Sequence, residues 1–96
     1  MKIKYSEKSV KDLKSFSPPD RTLIVKKLHY LAENFEILKE SKKVRELKGS
    51  EFDSQYRFTV AKKIRVLFRV ENEEIILLVL RVGFRKSIYW YKSVML

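Results

Sequence analysis

The hydrophobic period of this chain changes once, close to residue 40, and that change limits the fold more than any other feature. Before it, Ile24, Leu28, Leu31, Phe35 and Leu38 recur at spacings of four, three, four and three, which stacks them on one face of a helix. After it, residues alternate. Gln55 to Val60 and Lys63 to Val70 read as two half-buried strands, and Ile75 to Val82 as a third. The short connections Ala61-Lys62 and Glu71-Asn72-Glu73-Glu74 make these strands an antiparallel meander. An apolar helical stripe and a sheet with one apolar face require each other as burial partners. The expected core therefore sets the stripe against Tyr56, Phe58, Val60, Ile64, Val66, Phe68 and Val70, joined by Ile76, Leu78, Leu80 and Val82.

The residues ahead of the stripe supply a strand and a second helix. Lys2-Ile3-Lys4-Tyr5 alternates polar and apolar, which suits a short strand, and Ser6 then offers a helix cap. Val10, Leu13 and Phe16 recur at spacing three, giving a short amphipathic helix that stops at Ser17-Pro18-Pro19. Ser17, Pro18 and Asp20 combine a capping hydroxyl, a proline at the first helical position and an acid three after the cap. A helix of about five turns is expected from there through Leu38, completing an αα-hairpin. Glu36 to Asp53 reads as a charged connection ending near Leu47-Lys48-Gly49, and Gly83 as the end of the third strand. The fold class is α+β: an N-terminal strand, an αα-hairpin, then an antiparallel β-meander, in one domain over residues 1–96.

Charge bounds the partners. The 96 residues hold 22 Lys plus Arg against 12 Asp plus Glu, a net charge of +10, which makes a polyanion the expected partner. Residues 57–96 hold nine basic and three acidic side chains, 9 − 3 = +6, so the surplus is densest on the sheet half. With no cysteine and one histidine, the chain has no disulfide, thiolate nucleophile or His-rich metal cage. His29, flanking the buried stripe, is read as structural. The longest apolar run, Ile75 to Leu80, is far short of the roughly 20 residues that span a bilayer. The start of the chain lacks a secretory h-region, so a cytoplasmic location is the default expectation.

The face of the sheet opposite the core carries Arg57, Thr59, Arg65, Leu67, Arg69 and Arg81. Arginines gathered on neighbouring strands without matching acids repel one another, and an anion on that face would relieve the repulsion. Guanidinium groups suit phosphate through bidentate hydrogen bonds. Lys62 and Lys63 at the first strand turn, with Arg85 and Lys86 after Gly83, add charge. Tyr89, Trp90 and Tyr91 then place aromatic faces beside it, where an unpaired base could stack, although such rings also serve ordinary packing.

Taken in order, Leu47-Lys48-Gly49, Tyr56-Arg57-Phe58, Ile64-Arg65-Val66-Leu67-Phe68 and Val82-Gly83-Phe84-Arg85-Lys86-Ser87-Ile88-Tyr89 resemble the RelE branch of the RelE/ParE toxin superfamily. The resemblance implies a toxin of a type II toxin–antitoxin pair that cleaves mRNA on the ribosome, needs no cofactor or metal, and is held inactive by a cognate antitoxin. Carried over position by position, it implies catalytic roles for Arg57, Arg65, Arg85 and Tyr89, with Tyr91 the other candidate for the tyrosine. RNA contacts are then expected from Lys62, Lys63, Arg69, Arg81, Lys86 and Tyr91. Thr59 stands where a second Lys or Arg is common in the family, and Phe84 where His or Lys is common. Members that inhibit DNA gyrase without cutting RNA share the scaffold, so a gyrase inhibitor or a non-catalytic RNA-binding relative remains the alternative.

Overall fold

Ser6 begins the helical part as its sequence context requires: its hydroxyl accepts the Ser9 N–H at 3.0 Å and donates to the Leu80 carbonyl at 2.8 Å. The structure is a computed structural model that describes residues 1–47, 55–73 and 75–88. Strand β1 (Lys2–Tyr5) leads into α1 (Glu7–Ser15), and Ser17, accepting the Asp20 N–H at 3.4 Å, caps α2 (Pro18–Glu33). The expected five-turn helix is in fact two. It breaks at Asn34, whose amide donates to the Tyr30 carbonyl, and resumes as α3 (Phe35–Glu40). Ile24, Leu28, Leu31, Phe35 and Leu38 stay on one buried face across the break. Val10 does not join Leu13 and Phe16 inside; it is 38% exposed, and buried Ser9 takes the inner position. His29 is exposed on α2.

The segment expected to be only a charged connection contains a strand, β2 (Val44–Glu46). Strands β3 (Gln55–Val60), β4 (Ile64–Glu71) and β5 (Ile76–Phe84) form the meander, and the sheet order is β1-β5-β4-β3-β2. All pairings are antiparallel except β1 with β5, which is parallel. Lys48 and Gly49 of the expected connection lie outside the described residues. Gly83 does not end the last strand, which continues through Phe84.

The core confirms the mutual burial of stripe and sheet, with one shift of phase. On β5 the buried residues are Leu77, Val79 and Val82, while Ile76, Leu78 and Leu80 are only partly covered. The cause is a β-bulge: Leu67 pairs with Arg81 and Phe68 with Val79, so Leu80 is an extra residue and the in–out alternation slips by one. Phe35, Tyr56 and Phe68 form the aromatic centre, with Tyr56 and Phe68 stacked at 5.5 Å and Phe35 edge-on to Tyr56 at 5.2 Å. Among the described residues no helix is long and apolar enough to cross a membrane.

Candidate functional site

Strand register sorts the arginines of the outer sheet face into rows. Arg45, Arg57, Leu67 and Arg81 form one row across β2, β3, β4 and β5. Thr59, Arg65 and Gly83 form the next, toward the β3–β4 turn. Directly opposed Cβ atoms lie about 4.5–5.5 Å apart and diagonal neighbours about 7–8 Å, so Arg57 and Arg65 are diagonal partners. Gly83, opposite Arg65, brings no side chain to the row and leaves that position open to an approaching anion.

The β3–β4 turn gathers the second group of cations. Ala61 and Lys62 both take left-handed backbone, φ 50° and 62°, the conformation of a tight hairpin turn, here built without glycine. The Arg65 guanidinium donates to the Lys62 carbonyl at 2.9 Å, which holds it toward the turn. The Arg85 N–H donates to the Lys63 carbonyl at 2.6 Å and seats the start of α4 (Arg85–Ile88) against the same turn. Lys62, Lys63, Phe84, Arg85 and Lys86 line a cavity of about 510 Å³. Phe84 pairs with Ile64 in register, and its ring centroid lies 5.0 Å from that of Phe16, so its side chain leans toward the helices rather than the arginine rows.

Two of the expected RNA contacts are not part of this convergence. Arg81 is held by Asp12 of α1, Nε to Oδ2 at 2.7 Å and Nη2 to Oδ1 at 3.0 Å, and the Val82 N–H donates to the same carboxylate at 2.9 Å. Arg69 lies two rows from Arg65, opposite Gln55, with Glu71 at 3.7 Å. The expectation that the face lacks matching acids is thus corrected for both. Nor is the face an open sheet of solvated arginines: Leu67, in its centre, is 1% exposed. Tyr89, Trp90 and Tyr91 lie outside the described residues.

Sequence reasoning missed a second cavity, of about 470 Å³, where α2, the α3–β2 turn, β2 and β3 meet. Lys27, Tyr30, Lys42, Lys43, Arg45 and Arg57 are among its lining residues. The signal available for it was Val44, a lone apolar residue inside a basic run, which is buried and fastens Lys43 and Arg45 to the sheet edge. Two groups away from the arginine rows titrate abnormally. The Lys39 ammonium lies 5.5 Å from the Tyr56 ring centre, and its interaction with Tyr56, helped by Glu36 and Glu46, raises its pKa above the ordinary lysine value. Burial pushes the Tyr5 hydroxyl up.

The sequence model of a family described as the ParE toxin of the type II toxin–antitoxin system parDE matches residues 3–89. No curated protein matches the sequence. Among solved structures, the toxin–antitoxin complex RelBE2 from Mycobacterium tuberculosis is similar with a TM-score of 0.70 at 16% identity, covering 88% of this chain and 96% of that one. The isolated RelE toxin of E. coli is similar with a TM-score of 0.67 at 21% identity, over 97% of this chain and 94% of that one. YafQ from E. coli gives 0.61 at 21% identity, over 91% and 96%.

Proposed function

This chain belongs to the ParE toxin family of type II toxin–antitoxin systems, within the RelE/ParE superfamily, and on that premise we propose that it is an endoribonuclease of the RelE kind, cleaving mRNA on the ribosome and so stopping translation. The observation that supports this reading is that Arg65 lies opposite the side-chain-free Gly83, with Arg57 diagonal to Arg65 and Arg85 two residues past Gly83 at the same turn. In the proposed reaction the ribose 2′-oxygen attacks its own 3′-phosphorus, forming a 2′,3′-cyclic phosphate as the bond from phosphorus to the 5′-oxygen breaks. The 2′-hydroxyl loses its proton and the departing 5′-oxygen gains one. Arginines aimed at the phosphate neutralise the charge that builds on the non-bridging oxygens, and they hold the two reacting oxygens in line. RNA is required because DNA lacks the attacking hydroxyl. Tyr89, or Tyr91 in its place, is assigned orientation or base stacking at least as readily as proton transfer, since a neutral phenol is a poor base near pH 7. Lys62, Lys63 and Lys86 neutralise flanking phosphates.

The same reading gives the protein a cognate antitoxin that covers the basic face or displaces the tail. The similar complex from Mycobacterium tuberculosis is such a toxin–antitoxin pair. A second reading, inhibition of DNA gyrase without RNA cleavage, draws on one feature: Phe84, packed on Phe16, supplies no ionisable group beside Arg85.

Translation of a defined mRNA with and without the protein, followed by mapping of 5′ ends, separates the two. The nuclease reading expects new ends within the translated region and upstream fragments ending in a 2′,3′-cyclic or 3′-phosphate. It also expects Arg85→Ala to slow cleavage by roughly 10² to 10³ while ribosome affinity falls much less. Growth arrest with intact mRNA and inhibited gyrase supercoiling overturns it.

A further inference from the structure

We propose that the cavity beside β2 is a docking site for the backbone of single-stranded RNA, receiving nucleotides that flank the bond held at Arg57, Arg65 and Arg85. The proposal rests on the nuclease reading for its substrate, but on separate residues for its geometry. Among the described residues five cations, Lys27, Lys42, Lys43, Arg45 and Arg57, line the cavity, and no carboxylate does. They come from four places in the chain. Among the described residues none of the five pairs with an acid.

Holding them together is unfavourable without an anion. Arg45 and Arg57 are direct cross-strand partners, a placement in which like charges repel. Lys42 occupies the left-handed region at φ 64°, just past the end of α3, where glycine or asparagine is the residue free of steric cost. The fold tolerates a strained lysine at the lip of the cavity. The charge there has a use that a glycine would not serve.

Three features favour RNA over an acidic protein segment. Tyr30 stands beside the cations with 48% of its surface exposed, and Lys27 Nζ lies 5.7 Å from its ring centre. Cations next to an exposed aromatic ring are the pairing that binds single strands, through phosphate neutralisation and base stacking together. Arg57 belongs both to this cavity and to the row that adjoins Arg65, so one strand can run from one site into the other without leaving positive surface. Arg45 and Arg57, opposite one another in register, each bring a planar, forked guanidinium of the geometry that phosphate oxygens accept.

The test measures binding of a fluorescein-labelled, fully 2′-O-methylated RNA oligonucleotide, which cannot be cut, to the full chain by anisotropy across a salt series. The variant K42A/K43A should bind about tenfold more weakly at low salt, and its log–log salt slope should be shallower by about 1.4, two contacts at about 0.7 each. The charge-matched control K8A/K11A, on exposed positions of α1 at the opposite sheet edge, should change neither by more than a fraction of that. Tyr30→Ala should lower affinity with the slope unchanged. Lys42→Gly, which relieves the left-handed lysine, should raise the thermal midpoint while weakening RNA binding, so lost affinity cannot be put down to lost folding.

Equal effects of the cavity and control variants overturn the proposal, as does a wild-type protein that does not bind the oligonucleotide. So does a cavity variant that binds RNA normally but loses affinity for poly-glutamate, which would make the site a protein dock. If the wild type binds through this cavity yet cuts no mRNA, the nuclease reading fails and the subsite stands. If cutting persists and the cavity variants bind RNA like wild type, the subsite alone fails.

Discussion

Arg57 and Arg81 flank Leu67 in the same row of the sheet, one strand to either side, and they do opposite things. Arg81 is fixed by both oxygens of Asp12, and with the Val82 N–H it closes the stretch of β5 that β1 is too short to cover. Arg57 adjoins Arg45 at the other side of the sheet, where among the described residues no acid lines the cavity. The residue type is the same, and so is the strand geometry. What separates a structural arginine from one available to a ligand is whether a carboxylate, 69 residues away in sequence, folds back beside it.

The largest effect tests the split directly. Arg57→Ala should slow mRNA cleavage by roughly 10² to 10³ and leave the urea midpoint close to wild type, whereas Arg81→Ala should lower the midpoint and change the rate of the folded protein far less. Single-turnover cleavage on programmed ribosomes, beside urea unfolding of the same samples, reads both. Equal rate losses would break the comparison.

Asp12→Ala comes next. It removes the carboxylate that accepts from the Arg81 guanidinium and the Val82 N–H, where the Arg81 and Asp12 side chains are only 23% and 15% exposed, and should cost about 1–3 kcal/mol by equilibrium urea unfolding. A loss under about 0.5 kcal/mol would mean that the ion pair adds nothing beyond an ordinary surface contact. A reverse experiment adds an acid on the β3 side. Thr59→Glu sits directly opposite Arg65 and should stabilise the fold by about 0.2–1 kcal/mol while slowing cleavage. An accelerated reaction would exclude Arg65 from the chemistry. Smallest of all, Arg69→Ala should shift stability by less than about 1 kcal/mol and leave cleavage unchanged, because its Glu71 partner is 3.7 Å away and the two side chains are 39% and 40% exposed.

Local chemistry is what the sequence displayed most clearly. Ser6 and Ser17 cap the helices that they precede, and the stripe from Ile24 to Leu38 is buried throughout, because caps and periodicity act over a few residues. The departures arise where distant parts of the chain decide. Asn34 interrupts the helix without disturbing the stripe, so periodicity could not reveal it. The bulge at Leu80 moves one residue out of pairing, which a run of six apolar residues conceals. β2 is three residues long, too short for alternation to show. In the candidate site, Arg57, Arg65, Arg85, Lys62, Lys63 and Lys86 could be read from strand parity and turn position. The bond from Arg81 to Asp12 and the meeting of Lys27 and Lys42 at one cavity depend on tertiary packing that no short window contains.

The parallel pairing of β1 with β5 also sets a schedule. Residues 2–5 reach their hydrogen-bonding partners only when residues 76–79 exist, so the strand made first is among the last to find its place. A loop of that length is slow to close, and until it does β5 presents an unpaired edge and the core lacks the cover of Ile3 and Tyr5. A ribosome making this chain therefore carries an incomplete sheet until β5 has been made. Assembly of the sheet waits on the codons of β5 having been read, and the interval before closure is when a partner or a protease meets the chain in its most vulnerable form.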